Sequence, residues 1–209
     1  MSARSSTFWT QPEPLVLASG SAARAQMLGG AGLSFEIIKP EVDERALEAP
    51  LREESAGGAV IAGALAIAKA REVSLRHRSR YVLGGDQTLQ IGDELLSKPE
   101  GRAGARAHLQ MLSGRLHQLH SAAVLVRDGE VLLQVADVAS LTMRSLSEAF
   151  IEAYLDAAGE AIFGSVGAYQ IEGLGVHLFE RVEGEHATIM GLPLSSLIKG
   201  LRGLSLLRG

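Results

Sequence analysis

The stretch over residues 81–99, YVLGGDQTLQIGDELLSKP, constrains the rest of the chain more than any other. Tyr81, Val82 and Leu83 form an apolar run that meets two glycines and then a carboxylate, Asp86. That is the pattern of a buried strand carrying an acid to a sheet edge or a cleft. Lys98 stands twelve residues further on, followed by Pro99. Two glycines beside an acid let a ligand or another backbone approach closely, and a lysine restricted by a following proline is a point charge suited to phosphate. A Gly-Gly turn with a solvated Asp and Lys accounts for the same residues, so the stretch needs partners elsewhere before it becomes a site.

At 209 residues, 46% of them hydrophobic and 21% charged, the chain is long enough for a substantial core and ordinary enough to fold as one unit. Aromatics make up 4%, so Leu, Val, Ile and Ala must fill that core. Cysteine is absent, which excludes disulfides, thiolate nucleophiles and Cys-ligated zinc, and fits a reducing compartment. A net charge of −4 speaks against nucleic-acid binding, which rests on clustered Lys and Arg. An anionic ligand would therefore need its cations gathered locally. Residues 1–14 are polar with no secretion signal, and the longest uncharged run, residues 55–68, falls short of the roughly 20 residues that span a bilayer. The expectation is a cytoplasmic protein with no membrane partner.

Along the chain, residues 1–14 lack periodicity and read as a flexible arm from which Trp9 could dock, ahead of a single domain over 15–209. Residues 15–18 make a short buried strand, Ser19, Gly20 and Ser21 a loop, and residues 22–29 a helix with Arg24 in its first turn. Strand, small-residue loop and helix start form an anion cradle, although Ser21 as a plain N-cap is the commoner role. Arg24 opposes the helix dipole and so wants a local reason, for which phosphate is suited. After a second strand over 35–38 comes an acidic cluster, in which Asp43 as N-cap and Glu44 in the first turn suffice as an explanation. A long helix is expected over 53–72, with Lys69 on its largely buried surface.

A further helix is expected over 101–112. His117 and His120 could share a metal if helical, but the strand over 121–126 that follows would set them on opposite faces. A hairpin at 127–130, a strand over 131–139 and a helix capped by Ser147 come next. The glycine-rich segment 164–175 holds Tyr169, Gln170 and Glu172, and forms either tight turns or a surface closing over a ligand. Two strands, 176–179 and 188–190, and a helix beginning near Pro193 complete a pattern that predicts a mixed α/β sheet with flanking helices. No Walker loop, complete dinucleotide fingerprint, nucleophile elbow or zincin helix is present.

Read in order, LASGSAAR ending at Arg24, PEVDE ending at Glu44, AKA around Lys69, GGDQ around Asp86, LSKP around Lys98, LSGR ending at Arg115, GAY ending at Tyr169 and GLP ending at Pro193 resemble the Maf family of nucleoside triphosphate pyrophosphatases. The resemblance runs from about Leu15 to Leu201. It implies an elongated mixed α/β fold with two lobes around a cleft, similar to the inosine triphosphate pyrophosphatase group. It also implies hydrolysis of a nucleoside triphosphate to monophosphate and pyrophosphate, dependent on Mg²⁺ or Mn²⁺. Carried over by position, Asp86 would be the base, Glu44 and Asp86 the metal-associated acids, and Ser19, Ser21, Arg24, Lys69 and Lys98 the phosphate-binding residues. A homodimer is compatible with the resemblance. Members of the family have also been connected with septum formation, so a nucleotide-binding regulator without turnover is the alternative from another class.

Three positions depart from the branch that acts on dTTP and UTP. Where it has an arginine, a threonine and a glutamine, this chain has Ala23, Gln87 and Glu172. Gln87, Glu172 and the run 178–184 resemble instead the branch acting on 7-methyl-GTP. A carboxylate at Glu172 could accept from guanine N1–H and N2–H₂ and face the methylated ring's charge. That branch places Trp where Ala23 stands, so a stacking platform for the cationic base is lost here.

Overall fold

Four successive apolar residues suit a strand covered on both faces, and β1 (Leu15–Ala18) is fully buried in the computed structural model, which describes residues 8–208. The chain continues through α1 (Ala22–Gly30), β2 (Phe35–Ile37), α2 (Glu44–Glu53), α3 (Gly58–Arg76), β3 (Val82–Ile91), β4 (Glu94–Leu96) and α4 (Gly101–Leu112). The second half supplies β5 (Leu116–Arg127), β6 (Glu130–Met143), α5 (Glu148–Ala158), β7 (Phe179–Glu183), α6 (His186–Ile189) and α7 (Leu194–Gly203). The mixed α/β class is as expected. Seven strands form one sheet in the order β2-β1-β3-β5-β6-β7, with β4 also on β3. β1 runs parallel to both neighbours, and the remaining pairings are antiparallel.

β3 threads the hydrophobic clusters. Leu83 packs with α1, α7 and Trp9, Val82 packs with the alanine-rich face of α3, and Leu89 and Ile91 pack with α4 and α5. The middle of β3, where Asp86 lies, falls between these clusters.

The helix expected over 53–72 is two helices. α2 ends at Glu53, Ser55 turns the chain with a left-handed φ of 56°, and α3 starts only at Gly58. The paired glycines explain the late start, since a Cβ on Gly58 would stand 2.7 Å from both His120 and Thr88. The two strands expected over 176–179 and 188–190 are also corrected. Residues 174–178 form a 3₁₀ turn, β7 begins at Phe179, and Thr188 and Ile189 belong to the short helix α6. Gly184, at φ 120° and packed against Ala139, takes the chain off the sheet edge there.

The arm expected over 1–14 is tied down in the part described. Trp9 is buried, bridges Leu207 and meets Tyr81 edge-on at 5.9 Å, while its indole N–H donates to the Glu13 carbonyl. Residues 1–7 lie outside the described residues. Among the described residues no helix is long and apolar enough to cross a membrane.

β5 starts at Leu116, so His117 and His120 both lie on it and face opposite sides, and the helical metal pair is excluded. His117 is 1% exposed and its Nε2 lies 2.8 Å from the Tyr169 hydroxyl, whereas His120 packs on Gly58 of α3. Burial pulls His117 down to about 4, below the ordinary 6.5. The unfolded chain therefore binds the extra proton first, and stability falls as pH drops from about 6.5 toward 4. Wild type is expected to lose about 2 kcal/mol more than His117→Phe between pH 7 and pH 5, read from denaturant melts at both values. Equal losses would reject the assignment.

Candidate active site

The two glycines before Asp86 are not a turn; both lie inside β3. A Cβ on Gly84 would stand 2.3 Å from the Ala66 carbonyl and 2.9 Å from Ala70, so α3 packs on β3 at backbone distance. That approach brings Lys69, one turn beyond Ala66, onto Asp86, two residues beyond Gly84 on the same face. Lys69 Nζ lies 2.5 Å from Asp86 Oδ1 and 3.0 Å from Glu44 Oε1. Asp43 caps α2 by accepting from the Ala46 amide, which sets Glu44 in the first turn and pointing at the lysine.

Asp86 is 7% exposed and Lys69 6%, so this is a buried ion pair with a more exposed second carboxylate. Burial pushes the Asp86 carboxyl above the usual carboxylate range, Lys69 and Arg24 pull it back, and Glu44 adds to the rise. A carboxylate held this way is a stronger base than one in water.

Arg24, 9% exposed, reaches the site from the first turn of α1. Its Nε donates to the Gly191 carbonyl at 2.8 Å and its Nη1 to Ser19 Oγ at 3.1 Å. Burial lowers its pKa, and Asp86 and Glu44 oppose the fall. Arginine stays charged under such a shift. Ser19 Oγ also accepts from the Ser21 amide, and Ser21 is the N-cap of α1, accepting from the Arg24 amide.

Gln87 follows Asp86 but points to the other face of the sheet. Its amide nitrogen lies 2.9 Å from the Thr188 carbonyl, 3.0 Å from that of Ile189 and 3.0 Å from Ser121 Oγ. Two N–H groups thus serve three acceptors, and Ser121 Oγ donates in turn to the Thr188 carbonyl. The donor end of Gln87 is committed to α6, which leaves its carbonyl oxygen as the group a ligand can use.

All ten residues singled out from the sequence line one cleft of about 810 Å³: Ser19, Ser21, Ala23, Arg24, Glu44, Lys69, Asp86, Gln87, Lys98 and Glu172. Lys98 and Glu172 are exposed and enter from different segments, the turn after β4 and the glycine-rich loop. Tyr169, bonded to His117, anchors that loop on β5. Lys39, Arg45 and Gln170 also line the cleft and were not picked out as site residues from the sequence. The first two flank the PEVDE motif, and that adjacency was the available signal.

A family model described as Maf-like protein matches residues 14–204. The chain belongs to the Maf-like family. Among its relatives, the nucleoside triphosphate pyrophosphatase of Nitrobacter hamburgensis is 55% identical, covering 95% of this chain and 98% of that protein. The 7-methyl-GTP pyrophosphatase of Mesorhizobium japonicum is 52% identical over 94% of this chain and 99% of its own length. Of solved structures, the nucleoside-triphosphatase (dITP/XTP pyrophosphatase) of Mycobacterium abscessus aligns at a TM-score of 0.43 and 17% identity, covering 92% of this chain and 95% of that one.

Proposed function

We propose that this Maf-like protein hydrolyses a nucleoside triphosphate to the monophosphate and pyrophosphate, with 7-methyl-GTP or another modified purine nucleotide preferred. The observation that carries the reading is a buried carboxylate, Asp86, paired with Lys69, which also pairs with Glu44, in a cleft that Arg24 and Lys98 also line. Release of pyrophosphate by water needs in-line attack at the α-phosphorus. In this reading Asp86 orients the water and takes its proton, Lys69 and Lys98 hold phosphate oxygens, and Arg24 keeps Ser19 and the first loop in place.

A divalent cation, Mg²⁺ or Mn²⁺, fits beside Asp86 and Glu44. Two carboxylates already converge on one positive charge there, the Lys69 ammonium. Mg²⁺ is usually held by one or two carboxylates with phosphate oxygens completing the shell, and among the described residues no group of three acidic or histidine ligands is present. When bound, the ion would neutralise charge on the phosphate chain.

Glu172 supplies the base preference, accepting from guanine N1–H and N2–H₂ at the cleft mouth. The test is pyrophosphate release from dTTP, UTP, GTP, 7-methyl-GTP and ITP, with 7-methyl-GTP expected to lead. Glu172→Ala is expected to lower kcat/KM for that substrate by about 10–100-fold and to leave dTTP unchanged. A lead by dTTP and UTP would instead favour the pyrimidine enzyme, and tight binding without turnover the regulator of septum formation.

A further inference from the structure

The charges that meet around Asp86 cancel one another. Lys69 and Arg24 carry two positive charges against those of Asp86 and Glu44, and two of the three Arg24 guanidinium nitrogens donate to protein acceptors. A triphosphate of about four negative charges, even with a divalent ion, needs further cations, and Lys98 supplies one.

Lys39 is suited to supply another. It follows β2, whose parallel register on β1 pairs Leu17 with Ile37, and the Ile38 amide continues the ladder to the Leu17 carbonyl at 3.1 Å. The same register carries residue 39 alongside the start of the Ser19-Gly20-Ser21 loop. Lys39 Cε stands 3.8 Å from where a Cβ on Gly20 would be, so the aliphatic stem lies over that loop. Its backbone is held by Pro40 on one side and by Arg76, which donates to its carbonyl at 3.3 Å. Among the described residues no carboxylate lies within ion-pair distance of its ammonium, although Glu36, Glu41, Glu44 and Glu72 surround it in sequence or space and pair with other cations.

The order of the sheet gives the direction. β3 carries Asp86; β1 and β2 lie on one side of it and β5, which anchors the Glu172 loop through Tyr169, on the other. A nucleotide with its base at Glu172 and its α-phosphorus at Asp86 extends its distal phosphates toward β1 and β2. We propose that Lys39 binds the distal phosphates, the pyrophosphate that leaves, at the Ser19-Gly20-Ser21 loop. The proposal rests on the cleft being a triphosphate site.

The test is calorimetric binding of inorganic tripolyphosphate and of guanosine monophosphate to the full-length wild type and to Lys39→Met, alongside KM for the best triphosphate. The variant is expected to bind tripolyphosphate about tenfold more weakly and to show a similar rise in KM, with monophosphate binding unchanged and Lys39→Arg restoring most of the loss. Tripolyphosphate binding equal to wild type, or a loss shared by the monophosphate, overturns the assignment of Lys39. A wild type that neither binds tripolyphosphate nor releases pyrophosphate overturns the triphosphate reading itself, a result distinguishable from the first.

Discussion

Asp86→Asn is expected to lower the rate of pyrophosphate release by about 10²-fold or more, the scale on which positioned general bases contribute. The replacement keeps the shape of the side chain and leaves an oxygen to accept from Lys69, so the buried site stays filled. Lys69 also keeps Glu44 at 3.0 Å and is not left as an unpaired buried charge. The loss should therefore appear in kcat, with the thermal midpoint within a few degrees of wild type by the scale of about 2–4 °C per kcal/mol for a domain of this size. Steady-state rates of pyrophosphate release, with melting curves on the same preparations, separate the two effects. Activity equal to wild type would sink the assignment of Asp86 as base.

The second large effect falls on stability. Gly84→Ala places a methyl group 2.3 Å from a main-chain carbonyl of α3, and backbone cannot swing aside as a side chain does. The helix must move off the strand, and such overpacking costs about 3 kcal/mol. That is a fall of about 6–12 °C in the thermal midpoint. Activity should drop with it at temperatures where the variant is still folded, because the displaced helix carries Lys69 away from Asp86. Gly30→Ala, at the end of α1 with nothing within 4 Å of the added atom, is the control and should be neutral or slightly stabilising. Matched midpoints for the two variants would show that α3 does not depend on the close approach at Gly84.

Where local chemistry decided the structure, the sequence reading and the fold agree. Ser147 caps α5 by accepting from the Phe150 amide, Ser113 follows the last turn of α4, and Arg127 to Glu130 turns β5 into β6. Each depends on groups within a few residues of one another. The misses lie where distant segments intervene. Thr188 and Ile189 have strand-forming side chains, yet they sit in α6, and the Thr188 carbonyl there accepts from both Gln87 and Ser121. β-branched composition is a weak preference that tertiary contacts override, and here the Thr188 and Ile189 carbonyls are taken by side chains of β3 and β5.

The sequence by itself determined which residues gather: ten positions spread from Ser19 to Glu172 line one cleft. The order of the short motifs, through the family they resemble, sufficed for that, even though Lys69 lies inside α3, Asp86 and Gln87 inside β3, and Glu172 in a loop. Only the tertiary structure decided what those residues do to one another. The close approach of α3 at Gly84 makes Asp86 and Lys69 a buried pair, which no spacing along the chain states. Strand alternation then turns Gln87, the neighbour of Asp86, away toward α6, where its donor nitrogen is spent on main-chain oxygens. The parallel register of β2 on β1 brings Lys39 over the loop that the sequence had assigned to Ser19 and Ser21 alone. These pairings join residues far apart in the chain, and their geometry is set by packing between whole elements.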